Sequence, residues 1–280
     1  MPRPVTVNMA SRLSAEYDVF FVDQFGVLRD DIGPYQGAVD ALRQLSHAGK
    51  RIVILSNSGR SGEYNAERLV KLGFAPESFD FFVTSGDVAF EILSRPGVAI
   101  YQGSRALTIS SGGDTNLADR LGLTSIRSGK EADIVIISGS EAERISMHDY
   151  REMLRPAAEN NVPCYCTNPD IHKLHEGSVA PGAGSIAMLY EAMGGKVVWI
   201  GKPYPEIYDH ALRLAGVEDR RRVVCIGDSV EHDILGAASA RLDSVLVRTG
   251  ILADMSDGEL DRIITDTGAS PTYVMQAFVF

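Results

Sequence analysis

Basic side chains are in short supply: 27 Lys and Arg stand against 37 Asp and Glu, a formal net charge of −10. Nucleic-acid binding relies on clustered cations. This balance therefore speaks against a nucleic-acid partner while leaving room for a small anion in a local basic pocket. Long apolar runs are also missing. The opening stretch MPRPVTVNMASRLSAEYDVFFVDQ turns apolar only briefly after Asp18. It has no signal-peptide core and no stop-transfer segment, so no membrane partner and a cytoplasmic location are expected. Three cysteines, Cys164, Cys166 and Cys225, cannot all pair. In an extended segment, Cys164 and Cys166 are too close for a relaxed disulfide, and reduced thiols are the simpler reading. With His172 and His175 they spell CxC followed by HxxH, which zinc could use. Zinc-finger spacings are wider, however, and PCYC reads as a buried strand. The single tryptophan, Trp199, reads as core.

What is present is the balance of a packed α/β protein. The 280 residues are 45% hydrophobic and 23% charged, which suits two domains better than one. DVFFVD at 18–23, GAVDALRQLSHAG at 37–49 and RIVILS at 51–56 alternate strand and helix periods, the mark of βαβ units feeding a parallel sheet. Further strands are expected in FDFFVTS (79–85), VAIYQG (98–103), DIVIIS (133–138), VPCYCT (162–167), KVVWIG (196–201), RVVCIGD (222–228) and DSVLVR (243–248). Between Gly86 and Gly195 the spacing loosens around the Gly/Ser-rich SSGGDTN at 110–116. The pattern predicts a three-layer α/β core from 1–85 and 196–280, interrupted by an inserted α/β cap at 86–195, with a site at their junction.

Parallel sheets gather functional residues at the carboxyl ends of strands. Asp23 ends the first apolar strand, Ser56 and Asn57 the second and Asp228 another, and Lys202 follows KVVWIG. Singly, each has a bland reading: helix cap, strand-end hydroxyl or surface lysine. As a set they suit phosphoryl transfer. Two carboxylates at one sheet edge repel unless a hard cation such as Mg²⁺ lies between them. Asp23 could then attack in line while Lys202 and Ser56 hold the phosphoryl oxygens. GAGSIA at 182–187 fits the Gly-x-Gly-x-x-Ala dinucleotide fingerprint. It follows EGSVAP instead of a long apolar strand, so a helix start is the better reading. His232 in GDSVEHD reads first as a helix-surface histidine.

Six stretches then occur in an order that resembles a known family: FVDQFGVLRDD (21–31), ILSNSGRS (54–61), CTNPD (166–170), PGAGS (181–185), GKPYPEIY (201–208) and GDSVEHDILGA (227–237). The chain resembles the haloacid dehalogenase superfamily of hydrolases, in particular its subfamily IIA, the α/β-capped branch similar to nitrophenyl and sugar phosphatases. The resemblance implies a Rossmann-like core and a nucleophile at Asp23. It implies Mg²⁺ held by Asp23, the Phe25 backbone carbonyl and Asp228. Ser56, Asn57 and Lys202 would bind the phosphate of a small phosphorylated metabolite. Asp233 would orient groups around the metal, and a homodimer formed through the cap is expected.

Two positions depart from the pattern: Glu231 stands where the branch often has Asp, a mild change, and the second departure is larger. Where the family's phosphatases carry a second Asp that protonates the leaving group and then activates water, this chain has Phe25. Such a group contributes about 10²–10⁴-fold to rate. Asp30, Asp31, a cap residue or a substrate with a good leaving group could make up for it. Dehalogenation ranks lower, because the family's dehalogenases carry helical caps. Two readings stay open: a phosphatase-like hydrolase, and a ligand- or partner-binding protein that has lost turnover.

Overall fold

Runs of Val, Ile and Phe without polar alternation belong in a parallel sheet covered on both faces. That is where they lie in the computed structural model of the chain, which describes residues 4–98, 100–175 and 178–280. The strands are, in chain order, β1 (Val5–Thr6), β2 (Val19–Asp23), β3 (Arg51–Ser56), β4 (Phe81–Thr84) and β5 (Arg105–Ile109). They continue with β6 (Thr124–Ile126), β7 (Ile134–Ile137), β8 (Cys164–Cys166), β9 (His172–His175) and β10 (Ser178–Pro181). The last are β11 (Val197–Trp199), β12 (Val223–Gly227), β13 (Asp243–Val247) and β14 (Tyr273–Met275).

The chain divides into two units. The first comprises Met1–Ser56, Gly62–Val83 and Lys202–Phe280. Its sheet has the order β1-β14-β13-β12-β2-β3-β4, and the pairings from β1 through to β3 are parallel. Period-two alternation sends Phe20, Val22, Ile52, Ile54, Val224, Ile226, Val245 and Val247 into one core. Leu246 goes to a second core with Val230, Ile234, Leu252 and Leu260. Helix Ala38–His47 closes the first core with Ala38, Ala41, Leu42 and Leu45, the i, i+3, i+4, i+7 stripe that the sequence displays. Burying each leucine contributes about 1.5–3 kcal/mol.

The second unit, Asn57–Ser61 and Thr84–Gly201, has its own parallel sheet, β11-β8-β7-β5-β6, and an antiparallel β9–β10 pair. Leu107, Val135, Ile137, Tyr150, Leu154, Ile186 and Tyr190 fill its core. Helix Met147–Glu159 begins where the Ser146 hydroxyl accepts from the Asp149 amide.

Two sequence expectations change, those for KVVWIG and VAIYQG, while the helix start at GAGSIA and the reduced, buried cysteines stand as read. KVVWIG was assigned to the first unit, but β11 pairs with β8 in the second unit's sheet, Val197 opposite Cys164 and Trp199 opposite Cys166. An apolar run advertises a strand, not which sheet it completes, so the boundary moves from 195 to Gly201. VAIYQG forms no strand in its described residues, Ala99 lying outside them; the strand follows it at Arg105–Ile109. GAGSIA opens helix Ala183–Ala192 in contact with a loop. A Cβ on Gly182 would meet the Asp170 carbonyl oxygen at 2.1 Å, and one on Gly184 the Pro169 carbonyl oxygen at 2.3 Å. Its glycines therefore serve close backbone packing. Cys164 and Cys166 are buried free thiols in the second unit's core. Burial pushes Cys166 up to about 12, so the thiolate that zinc requires is disfavoured. Among the described residues no helix is long and apolar enough to cross a membrane.

Candidate active site

Register alone brings three strand ends together in the first unit. Val22 pairs with Ile226, so Asp23 and Asp228 leave adjacent strands almost side by side. On the other flank Asp23 pairs with Leu55, and Ser56 is the next residue. Asp233 arrives from the π turn Val230–Ile234 directly after β12, whose Ser229 hydroxyl accepts from the His232 amide. Lys202 stands just ahead of helix Pro205–Leu214.

The side chains converge and are buried: Asp23 is 8% exposed, Lys202 3%, Asp228 4% and Asp233 5%. The Lys202 ammonium donates to Asp23 Oδ1 at 2.7 Å and to Asp233 Oδ1 at 2.6 Å. Asp233 Oδ2 accepts from the Ser229 amide at 3.1 Å, so both of its oxygens are engaged. Asp228 Oδ2 accepts from the Ile251 amide at 2.9 Å. Burial by itself would lower the Lys202 pKa, but attraction to Asp23 and Asp233 outweighs it and raises the group, which stays charged. Burial drives the Asp228 carboxyl well above the usual carboxylate range, and repulsion from Asp23 and Asp233 adds to the shift.

Three carboxylates with one ammonium leave an excess of negative charge in a dry site. One oxygen from each of Asp23, Asp228 and Asp233 lies within 4.8 Å of the others. That donor set fits a hard divalent cation, which prefers oxygen ligands and would relieve the repulsion. The Phe25 carbonyl accepts no hydrogen bond from any described residue, whereas Gln24 and Gly26 accept from Leu28 and Thr249. It is thus open to the ligand role expected of it.

Glycines allow the backbone to press against these carboxylates. At Gly26 (φ +96°) a Cβ would lie 2.1 Å from Asp228 Oδ2, and at Gly250 (φ +59°) 1.9 Å from the same atom. At Gly227 it would lie 2.0 Å from the Asp233 carboxyl carbon.

Of the residues expected from sequence, Asp23, Ser56, Lys202, Asp228 and Asp233 gather within the first unit. Asn57 belongs to the second unit, where its amide donates to Asp170 Oδ1 at 2.8 Å. The Phe25 ring is 37% exposed, and the Arg29 guanidinium carbon lies 5.3 Å from its centroid. The Asp30 carboxylate caps its own turn, accepting from the amides of Ile32 and Gly33 at 2.8 and 2.9 Å. Gln24 and the Ile251 amide are additions that sequence reasoning missed. Gln24 is buried and its Oε1 accepts from the Ser56 hydroxyl at 3.3 Å. A polar residue directly after a strand-end Asp was the available signal; nothing in sequence pointed to Ile251.

Two models of haloacid dehalogenase-like hydrolases match the chain, one over residues 20–124 and one over 199–278. A D-glycerol 3-phosphate phosphatase of Mycobacterium tuberculosis is 27% identical over 266 residues, 94% of this chain and 70% of that protein. A haloacid dehalogenase-like hydrolase of Brucella suis superposes with a TM-score of 0.82 at 28% identity, over 98% of this chain and 100% of that one. A glycerol phosphate phosphatase of M. tuberculosis, solved in complex with magnesium, superposes with a TM-score of 0.70 at 27% identity, over 94% of this chain and 75% of that one. With two matched segments that contain the strand ends carrying Asp23 and Asp228, the chain belongs to the haloacid dehalogenase-like hydrolases.

Proposed function

We propose that the protein is a Mg²⁺-dependent phosphohydrolase for a small phosphorylated metabolite, working through an aspartyl-phosphate on Asp23. The observation that carries this reading is the buried cluster in which Lys202 bridges Asp23 and Asp233 beside Asp228. A site built only to bind an anion has no need of three acidic side chains. Asp23, Asp228 and the Phe25 carbonyl are the groups that would hold Mg²⁺. When bound, the cation supplies Lewis-acid stabilisation of charge on the phosphoryl oxygens. The relative solved with magnesium supports the choice of ion.

The chain's own residues have separable tasks. The Asp23 carboxylate attacks phosphorus in line and is later released by water. Lys202, fixed by two carboxylates, presents a preorganised positive charge to the transferring group. Ser56 donates its hydroxyl hydrogen to a phosphoryl oxygen, exchanging the acceptor it finds in Gln24. Asp233 holds Lys202 in place. The direct test is phosphate release from a broad ester panel, with and without Mg²⁺, for the native protein and Asp23→Asn. Mg²⁺-dependent release abolished by Asp23→Asn is the expected result. Phe25 favours a second reading, a metal- and phosphate-binding protein without turnover. Tight phosphate binding with no release above the Asp23→Asn level would put that reading first.

A further inference from the structure

Resting on the phosphohydrolase reading, we infer that this site is selective for phosphates whose leaving group departs as a stable anion, acyl and aryl phosphates, and discriminates strongly against alkyl phosphates. The argument is an account of proton donors around Asp23 in the first unit. Asp233 is committed through both oxygens, to Lys202 and to the Ser229 amide. Asp228 accepts from the Ile251 amide and belongs to the cation site. Lys202 is held between Asp23 and Asp233. Asp30 is tied into its own turn through one oxygen, Oδ1 accepting from both the Ile32 and Gly33 amides, and Asp31 is exposed to solvent.

The residue two beyond the nucleophile presents an aromatic ring instead of a donor. Its turn is pinned: the Gly26 amide donates to the Arg29 carbonyl, and the Leu28 and Arg29 amides donate to the Gln24 carbonyl. The Arg29 guanidinium over the ring is occupied with the Asp30 carbonyl oxygen, at 2.8 Å from Nε. Guanidinium stays protonated throughout the pH range of enzymes and is not a proton donor to a leaving group.

The bonds balance without that proton only for some substrates. An Asp23 oxygen forms a bond to phosphorus as the bond from phosphorus to the leaving oxygen breaks, and both electrons leave with the leaving group. A carboxylate or phenolate leaves readily as the anion; an alkoxide does not. Water then attacks the aspartyl-phosphate at phosphorus, Asp23 departs as a carboxylate, and the proton of water ends on inorganic phosphate. Asp23 is itself a good leaving group, so this second step requires no donor either.

The test is kcat/KM at saturating Mg²⁺ for aryl phosphates whose phenols span pKa values of about 4 to 10, together with acetyl phosphate and glycerol phosphate. Native protein, Phe25→Asp and Phe25→Ala are compared. Native kcat/KM is expected to fall steeply with leaving-group pKa, with glycerol phosphate a further 10²–10⁴-fold or so below the poorest aryl ester. Phe25→Asp, which restores a donor, flattens the dependence and raises glycerol phosphate turnover by about 10²-fold or more. Phe25→Ala keeps the steep dependence. Turnover with a flat dependence in the native protein would overturn the inference alone, since a donor then comes from elsewhere in the chain. Absence of release above the Asp23→Asn level on every substrate overturns it together with the phosphohydrolase reading. The native slope decides the matter even if Phe25→Asp fails to fold.

Discussion

Replacing Asp228 by Asn should stabilise the metal-free protein while abolishing its response to Mg²⁺. At an effective dielectric of about 20, two unit charges 4.8 Å apart repel by about 3.5 kcal/mol, and the three carboxylates lie within that distance. Asp228 meets two such neighbours. The Lys202 charge offsets roughly one of them, leaving one repulsion of this size with the cost of burial added. Asn has the same shape and still accepts from the Ile251 amide. A gain of roughly 2–4 kcal/mol is therefore expected from urea unfolding in EDTA at pH 7.

The sign follows from linkage. A carboxyl whose folded pKa is raised keeps its proton when the unfolded chain has released it, so the native protein loses stability as pH rises above the ordinary value of 3.8. Below that value both states are protonated and the penalty is absent. The gap between Asp228→Asn and native protein should thus be closed near pH 3.5, open as pH rises and narrow when Mg²⁺ is added. At 100 times its dissociation constant, Mg²⁺ stabilises the native protein by about 2.7 kcal/mol. A variant no more stable than native protein at pH 7 in EDTA would refute the charge argument. Equal stabilisation of both by Mg²⁺ would remove Asp228 from the metal site.

Lys202→Met acts in the opposite direction, leaving Asp23 and Asp233 buried without their cation. A loss of about 3–5 kcal/mol is expected in the same unfolding assay, partly restored in the double variant with Asp228→Asn. Gly227→Ala places a Cβ 2.0 Å from the Asp233 carboxyl carbon and forces that side chain off Lys202. Phosphate release should fall by at least about tenfold, and Mg²⁺ binding, read by calorimetry, should weaken. Asp30→Asn keeps the turn, since the amide oxygen still accepts from Ile32 and Gly33. Turnover within about twofold of native is expected, and a 10²-fold loss would make Asp30 the proton donor.

Much of the site was legible because strand ends are local features. A buried apolar run closed by a polar residue marks itself, which is why Asp23, Ser56 and Asp228 could be named from their own neighbours. Lys202 was named from its place after the apolar run KVVWIG, and the motif GKPYP then supported it. Other features depended on partners far along the chain. Asp30 looked available as a replacement acid until its turn closed on it. Asn57 adjoins Ser56 in sequence, yet its amide donates to Asp170 in the second unit. Gln24 acquired a role only from Ser56, 32 residues on.

By itself the sequence determined the α/β class, the strand ends that carry the chemistry and the absence of a carboxyl at Phe25, all of which follow from residue type and short-range period. Only the tertiary structure decided which sheet Val197–Trp199 completes, which oxygens Lys202 grips and how closely Gly26, Gly227 and Gly250 approach Asp228 and Asp233. Those are matters of register and backbone approach between segments remote in the chain, which local pattern does not encode.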